Sequence, residues 1–165
     1  MLTFVALPSV RPLLRFGVSF CSVDGQLFSI GETSREFSVQ SSSKPISYLM
    51  ALSELGEEEV HRYVGREPSG RNFNDICLNP ENIPHNPMVN SGAIMTCSLI
   101  RHGKEQSARF RDIMELWAKI AGTPKYVSFS NSTYLSERAT ADRNFCLGYM
   151  MQGMSRNKHI KRRLG

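Results

Sequence analysis

The chain has 165 residues, of which 41% are hydrophobic and 21% charged. That is enough for one domain with its own core, and no apolar run approaches the ~18–20 residues that a membrane-crossing helix needs. The net charge of +5 is local: Arg156, Lys158, Lys161, Arg162 and Arg163 lie in a tail without acids, and the remaining 15 basic residues balance 15 acidic ones, so the body carries no electrostatic footprint for nucleic acid.

Residues 1–15, with Arg11 and Arg15 and no acid, read as an entry segment with a faint likeness to a transit peptide. Phe16, Val18 and Phe20 then alternate with Gly17 and Ser19, the period of a strand. Asp24-Gly25 signals a hairpin turn into a second strand near 26–31. "EFSVQ" reads as a third short extended piece leading to Ser41. From about Ser43 the spacing becomes helical: Ile46, Leu49 and Met50 stand at i, i+3 and i+4, and Pro45 is tolerated in the first turn.

Gly56 breaks that helix, and Glu57, Glu58 and Glu59 favour a new N-terminus, where acids meet the helix dipole. This short helix closes near Gly65. Residues 67–88 are loop-like, rich in Pro, Asn and Gly, and a loop that long in a compact domain is usually functional or mobile. "NSGAIMTCSLI" (90–100) is small and apolar all round, which suits a buried helix. The amphipathic helix predicted over 105–121 puts Phe110, Ile113, Met114, Trp117 and Ala121 on one face, with Gly122 and Pro124 as its stop. After Phe129 the chain reads as a capped short helix, a turn and the start of another helix. Strands first and helices after predict an α+β fold rather than a parallel doubly wound sheet. The expected organisation is an entry segment (1–15), a domain (16–154) and a basic tail (155–165), the last a solvated end or an anion-binding signal.

Cys21, Cys77, Cys97 and Cys146 show no C-x-x-C spacing, and the four histidines give no metal pattern. Free buried thiols in a reducing compartment, and no metal, are expected. Asn131-Ser132-Thr133 matches a glycosylation triplet, which matters only in a secreted protein.

Chemistry concentrates at "SSSKP". If a helix starts near Ser42, Ser41 and Lys44 face the same side. A serine hydroxyl needs a base to become a nucleophile, and a lysine serves if burial lowers its pKa. A helix N-terminus adds a backbone N–H that stabilises an oxyanion. S-x-x-K is the arrangement of penicillin-binding proteins and class A β-lactamases, although their K-T-G and S-D-N motifs are absent here. By itself the spacing occurs about once by chance in a chain of this size. Ser41 as a plain N-cap and Lys44 as a solvated cation are the alternatives.

Four stretches, "GVSFCSVDGQLFSIGETSREFSVQSSSKP", "VHRYVGREPSGRNFN", "PHNPMVNSGAI" and "SERATADRNF", together resemble the serine-dependent glutaminase family in its animal form, from about Gly17 to about Met151. The resemblance implies a serine β-lactamase/transpeptidase-like fold and hydrolysis of L-glutamine to L-glutamate and ammonia through a glutamyl-enzyme ester. On matching positions it makes Ser41 the nucleophile and Lys44 its activating partner. Gln40, Asn90, Glu137 and Asn144 become substrate-binding residues. The chemistry is consistent: Glu137 suits the α-ammonium of glutamine, and the two asparagines suit its carboxylate and amide. Read without the family, Asn90 and Asn144 are candidate helix caps and Glu137 with Arg138 a surface pair.

The resemblance also implies that loop 66–88 gates the active site beside an oligomer contact. It further implies a homo-oligomer (dimer or tetramer), no cofactor beyond inorganic phosphate as an activator, no nucleic-acid or membrane partner, and a mitochondrial or else cytoplasmic location. The family's catalytic domain is longer, returning after the "DRN" helix with further sheet strands, a proton-transferring tyrosine and part of the oxyanion hole. It also has a tyrosine before the first strand, where this sequence has none. The 165 residues are therefore expected to be inactive alone. The alternative expectation is a non-catalytic truncated subunit that associates with a full-length glutaminase.

Overall fold

The computed structural model describes residues 16–154. They fall into two units that meet in sequence between Ser43 and Lys44. The expected entry segment and basic tail lie outside the described residues.

The first unit is built on a hairpin. Strand β1 (Gly17–Cys21) pairs antiparallel with β2 (Leu27–Gly31), Gly17 opposite Gly31 and Ser19 opposite Ser29. The two serine hydroxyls of that pair are 2.9 Å apart. Asp24-Gly25 does turn the chain, inside a five-residue loop rather than a two-residue turn. Gly25 takes the positive φ of 86°. Ser22 closes the loop by accepting from the Gln26 N–H at 2.9 Å. The Asp24 carboxylate accepts from the Ser22 hydroxyl and the Gln26 amide, and the bond from Ser22, then that from Gln26, lowers its pKa. Gly31, at φ 77°, lets its strand pass the Phe16 carbonyl, where a Cβ would stand 2.2 Å from the oxygen.

The third extended piece is not a strand: residues 36–39 have no regular structure, and the sheet has two strands among the described residues. A 3₁₀ helix, Gln40–Ser43, follows instead. The hydroxyls of Ser42 and Ser43 donate back to the carbonyls of Val39 and Gln40. Serine side chains that claim nearby backbone acceptors compete with a sheet ladder, and here the local bonds win.

The second unit is helical: α1 (Lys44–Leu55), α2 (Glu57–His61), α3 (Asn90–Leu99), α4 (Gln106–Ile120), a 3₁₀ turn at Pro124–Tyr126, α5 (Asn131–Ala139) and α6 (Asp142–Gly153). The first α-helix begins at Lys44, within a residue of the expected change near Ser43, and continues the 3₁₀ helix before it. Gly56 breaks it as expected, at φ 79°, and the three glutamates occupy the first turn of α2.

The small, apolar helix α3 is the centre, packed against α1 on one side and α6 on another. One cluster joins Ala51, Val60, Leu99 and Ile100; a second joins Val64, Met95 and Met151. Gly92 lets the loop come close, since a Cβ there would lie 1.8 Å from the Asn86 carbonyl oxygen. Tyr48 and His61 tie α1 to α2: the His61 Nδ1–H donates to the Val64 carbonyl at 2.8 Å, which leaves Nε2 to accept from the Tyr48 hydroxyl at 2.7 Å. Arg109 of α4 donates to the carbonyls of Cys97 (2.8 Å) and Ile100 (3.0 Å), two acceptors that a helix C-terminus leaves open.

On α4, Ile113 packs against the first cluster, while Phe110 remains 45% exposed and meets Phe129 edge-on at 5.0 Å. Ala121 lies just past the helix and is exposed, and Gly122, at φ 77°, ends it. Ser130 caps α5 by accepting from the Thr133 N–H. The cysteines are free, but Cys21, Cys97 and Cys146 are exposed and Cys77 half-buried, against the expectation of burial. Cys21, Cys97 and Cys146 lie on β1, α3 and α6 and Cys77 in the loop before α3; although part of the Cys97 residue is open, its thiol meets Ser47 of α1 and burial raises its pKa. No helix among the described residues is long and apolar enough to cross a membrane.

Candidate active site

In the first unit, Gln40 and Ser41 open the 3₁₀ helix and both are exposed. Gln40 has φ 43°, a left-handed conformation unusual for a residue with a side chain.

In the second unit, three of the expected residues from three separate helices are joined side chain to side chain. Lys44, the first residue of α1, donates from Nζ to the Asn90 Oδ1 at 2.8 Å and to the Met88 carbonyl at 2.9 Å. Asn90 donates from Nδ2 to the Asn144 Oδ1 at 3.0 Å. Its own backbone N–H donates to the Phe73 carbonyl at 2.8 Å. The Phe73 ring centroid lies 5.4 Å from Lys44 Nζ.

This arrangement decides against capping as the role of the two asparagines. The N-cap residues of α3 and α6 are Val89 and Ala141, neither with a side-chain bond, and Asn90 and Asn144 lie inside the helices that follow. Lys44 is half-buried rather than fully solvated, and burial lowers its pKa from the ordinary value. An ammonium has three donors and a neutral amine two. Two oxygen contacts can be met by either form, and in the neutral form they would use both N–H groups.

Glu137 is exposed near the end of α5. Its neighbour Arg138 lies over the Phe145 ring at 5.9 Å. Asn144 and Phe145 also line a cavity of about 210 Å³ with Ile94, Gly148 and Tyr149. The cavity wall is largely apolar, so Asn144 is its polar handle.

Sequence reasoning missed three participants. Phe73 lies in the loop singled out for its length, but nothing in "GRNFND" says that its ring meets a lysine. Met88 acts through its carbonyl, which no side-chain motif encodes. Asn86 braces the same loop: its Nδ2 donates to the Glu67 carbonyl at 2.8 Å, and its Oδ1 accepts from the N–H groups of Met88 and Val89. Its signal was the density of asparagines in that loop.

Comparison with known proteins agrees with these motifs. Residues 6–162 match the family model described as Glutaminase. Putative glutaminase 2 of Caenorhabditis elegans is 52% identical over 137 residues, covering 83% of this chain and 22% of the relative. The mitochondrial liver isoform of glutaminase from Rattus norvegicus is 45% identical, covering 83% of this chain and 23% of the relative. The chain thus spans less than a quarter of the length of these relatives. Among solved structures, the probable glutaminase of Bacillus subtilis superposes with a TM-score of 0.77 at 28% identity, over 84% of this chain and 45% of that one. The native form of Mglu gives 0.75 at 35% identity, over 84% and 34%. The described hairpin and helices are part of the α+β, β-lactamase-like fold that these glutaminases share, and the chain belongs to the glutaminase family.

Proposed function

We propose that the protein serves the hydrolysis of L-glutamine to L-glutamate and ammonia, with Ser41 as nucleophile and Lys44 as its base. The observation that carries this reading is the setting of Lys44: half-buried, with burial lowering its pKa, and with Nζ held between the Met88 carbonyl and the Asn90 amide oxygen. The Ser41 oxygen attacks the side-chain amide carbon of glutamine as its proton passes to the Lys44 amine. The C–N bond then breaks, the leaving amine takes a proton to become ammonia, and water hydrolyses the remaining glutamyl ester. Asn90 and Asn144, linked at 3.0 Å, present an amide pair to the amino-acid end of the substrate. Glu137 supplies the carboxylate for its α-ammonium, and Gln40 flanks the nucleophile.

Residues 16–154 form the part of the catalytic domain that carries these groups. Assembly into a homo-oligomer is part of the same reading, with half-exposed Phe110, Phe129 and Tyr134 offering apolar surface. A mitochondrial location draws support from the names of the rat and mouse relatives. Inorganic phosphate as activator, with no other cofactor, follows from the family resemblance.

The test is ammonia release from L-glutamine by the purified chain, beside Ser41→Ala and Lys44→Met. Turnover abolished in Ser41→Ala and cut by several orders of magnitude in Lys44→Met supports the reading. Turnover that survives Ser41→Ala sinks it. A folded wild-type chain that releases no ammonia but co-purifies with a full-length glutaminase favours the alternative of a non-catalytic subunit.

A further inference from the structure

We propose that Phe73 is a positioning residue for Lys44: its ring holds the lysine's proton, and through it loop 66–88 sets how readily that proton leaves. The groups that face Lys44 Nζ are the Met88 carbonyl at 2.9 Å, the Asn90 amide oxygen at 2.8 Å and the Phe73 ring at 5.4 Å. All three are uncharged, and burial lowers the pKa of this amine from its ordinary value. Among the described residues Lys44 has no ion pair, so no counter-ion there sets the balance between ammonium and amine. The two oxygens serve either form, since each form has at least two N–H groups to give. The ring discriminates: an aromatic face within about 6 Å attracts an ammonium and not a neutral amine.

The contact is built rather than incidental. The Phe73 carbonyl accepts the backbone N–H of Asn90 at 2.8 Å, and Asn90 in turn holds Lys44. One residue of the loop thus touches the lysine through its ring and the lysine's amide partner through its backbone. At the other end of the loop, the Met88 carbonyl holds the same Nζ. Phe73 is 60% exposed, so neighbours do not lock its ring in place as they lock a core side chain. Burial and ring act in opposite directions on Lys44. Displacing the ring leaves burial unopposed, and the lysine gives up its proton more readily. Linkage makes this reciprocal: the loop is held more firmly over a charged lysine than over a neutral one.

The consequence for catalysis rests on the reading of Lys44 as base, but the contact itself is measurable without turnover. The experiment is competitive acetylation of the purified chain with acetic anhydride across a pH series. Mass spectrometry of the digest gives a labelling midpoint for each lysine, with Lys104 and Lys125 as internal references. Phe73→Leu keeps an apolar cover and removes the aromatic face; Phe73→Tyr keeps the face. The expected result is a Lys44 midpoint lowered by about half a pH unit in Phe73→Leu, a roughly threefold loss of proton affinity. Phe73→Tyr stays at the wild-type value, and the reference lysines do not move. A Lys44 midpoint unchanged or raised in Phe73→Leu overturns the proposal, as does an equal fall in Phe73→Tyr. Where the chain turns over glutamine, the alkaline rise of the pH profile moves with the Lys44 midpoint. A labelling shift without that movement refutes Lys44 as base and leaves the Phe73 contact standing.

Discussion

Gly92 sets two physical effects against each other with opposite signs. It sits inside α3, where alanine in place of glycine favours a helix by about 1 kcal/mol. A Cβ at that position would lie 1.8 Å from the Asn86 carbonyl oxygen, 2.7 Å from its carbon and 3.1 Å from Pro87 Cα. Comfortable contact begins near ~3.5 Å. The obstructing atoms are backbone, so no side-chain rotation relieves them. The segment is also pinned, since Pro87 is buried and Asn86 is bonded to Glu67, Met88 and Val89. Overpacking of this kind costs ~1–3 kcal/mol or more, and an immovable neighbour places Gly92→Ala at the upper end. The expected net effect is a loss of about 2 kcal/mol, or roughly 4–8 °C in Tm for a chain of this size. Gly153→Ala is the control: it lies at the end of α6 with nothing within 4 Å of its Cβ, so propensity acts alone and stability holds or rises slightly. Urea unfolding followed by far-UV circular dichroism measures both. A Gly92→Ala chain as stable as wild type would refute the close approach of loop and helix, and with it the placement of the Met88 carbonyl on Lys44.

Asn90→Ala removes the acceptor of Lys44 and the donor to Asn144 together, and should cost about 2 kcal/mol in urea unfolding. Asn144→Ala removes only the second bond and should cost about 0.5–1 kcal/mol; equal losses would break the chain of contacts proposed here. Ser130→Ala deletes the α5 cap on the Thr133 N–H and should cost about 1 kcal/mol, read from the same unfolding curves. Lys44 also predicts a pH dependence of stability. Its folded pKa lies below the ordinary 10.5, so between the two values the unfolded chain binds more protons and stability rises with pH. Below the folded pKa the penalty is fully present. Burial raises the Tyr63 pKa above 10.0, which acts in the opposite sense at higher pH. The difference between wild type and Lys44→Met isolates the lysine; a difference that does not change with pH would contradict its burial.

Period and punctuation in the sequence were enough for the hairpin, the break at Gly56, the small-residue helix at the centre and the long asparagine-rich loop. These follow from local rules: alternation, left-handed glycines and a volume pattern that suits only an interior. Spacing marked Ser41 and Lys44 as one candidate pair among chance matches, and the resemblance to the glutaminase family, not residue type, singled out Asn90 and Asn144. Residues 36–39 looked extended, but serine hydroxyls just beyond them took up backbone carbonyls and a 3₁₀ helix followed. The asparagines looked equally fit for capping, and only the packing of α3 against α1 and α6 turned them toward the lysine and each other. The parts that tune the site were invisible beforehand. The carbonyl of Met88 is a group every residue carries, and the ring of Phe73 matters only because the loop returns it to Lys44 across 29 residues of sequence. A sequence states which groups are present; which of them meet depends on the path of a loop held by non-local contacts, and that path exists only in the folded chain.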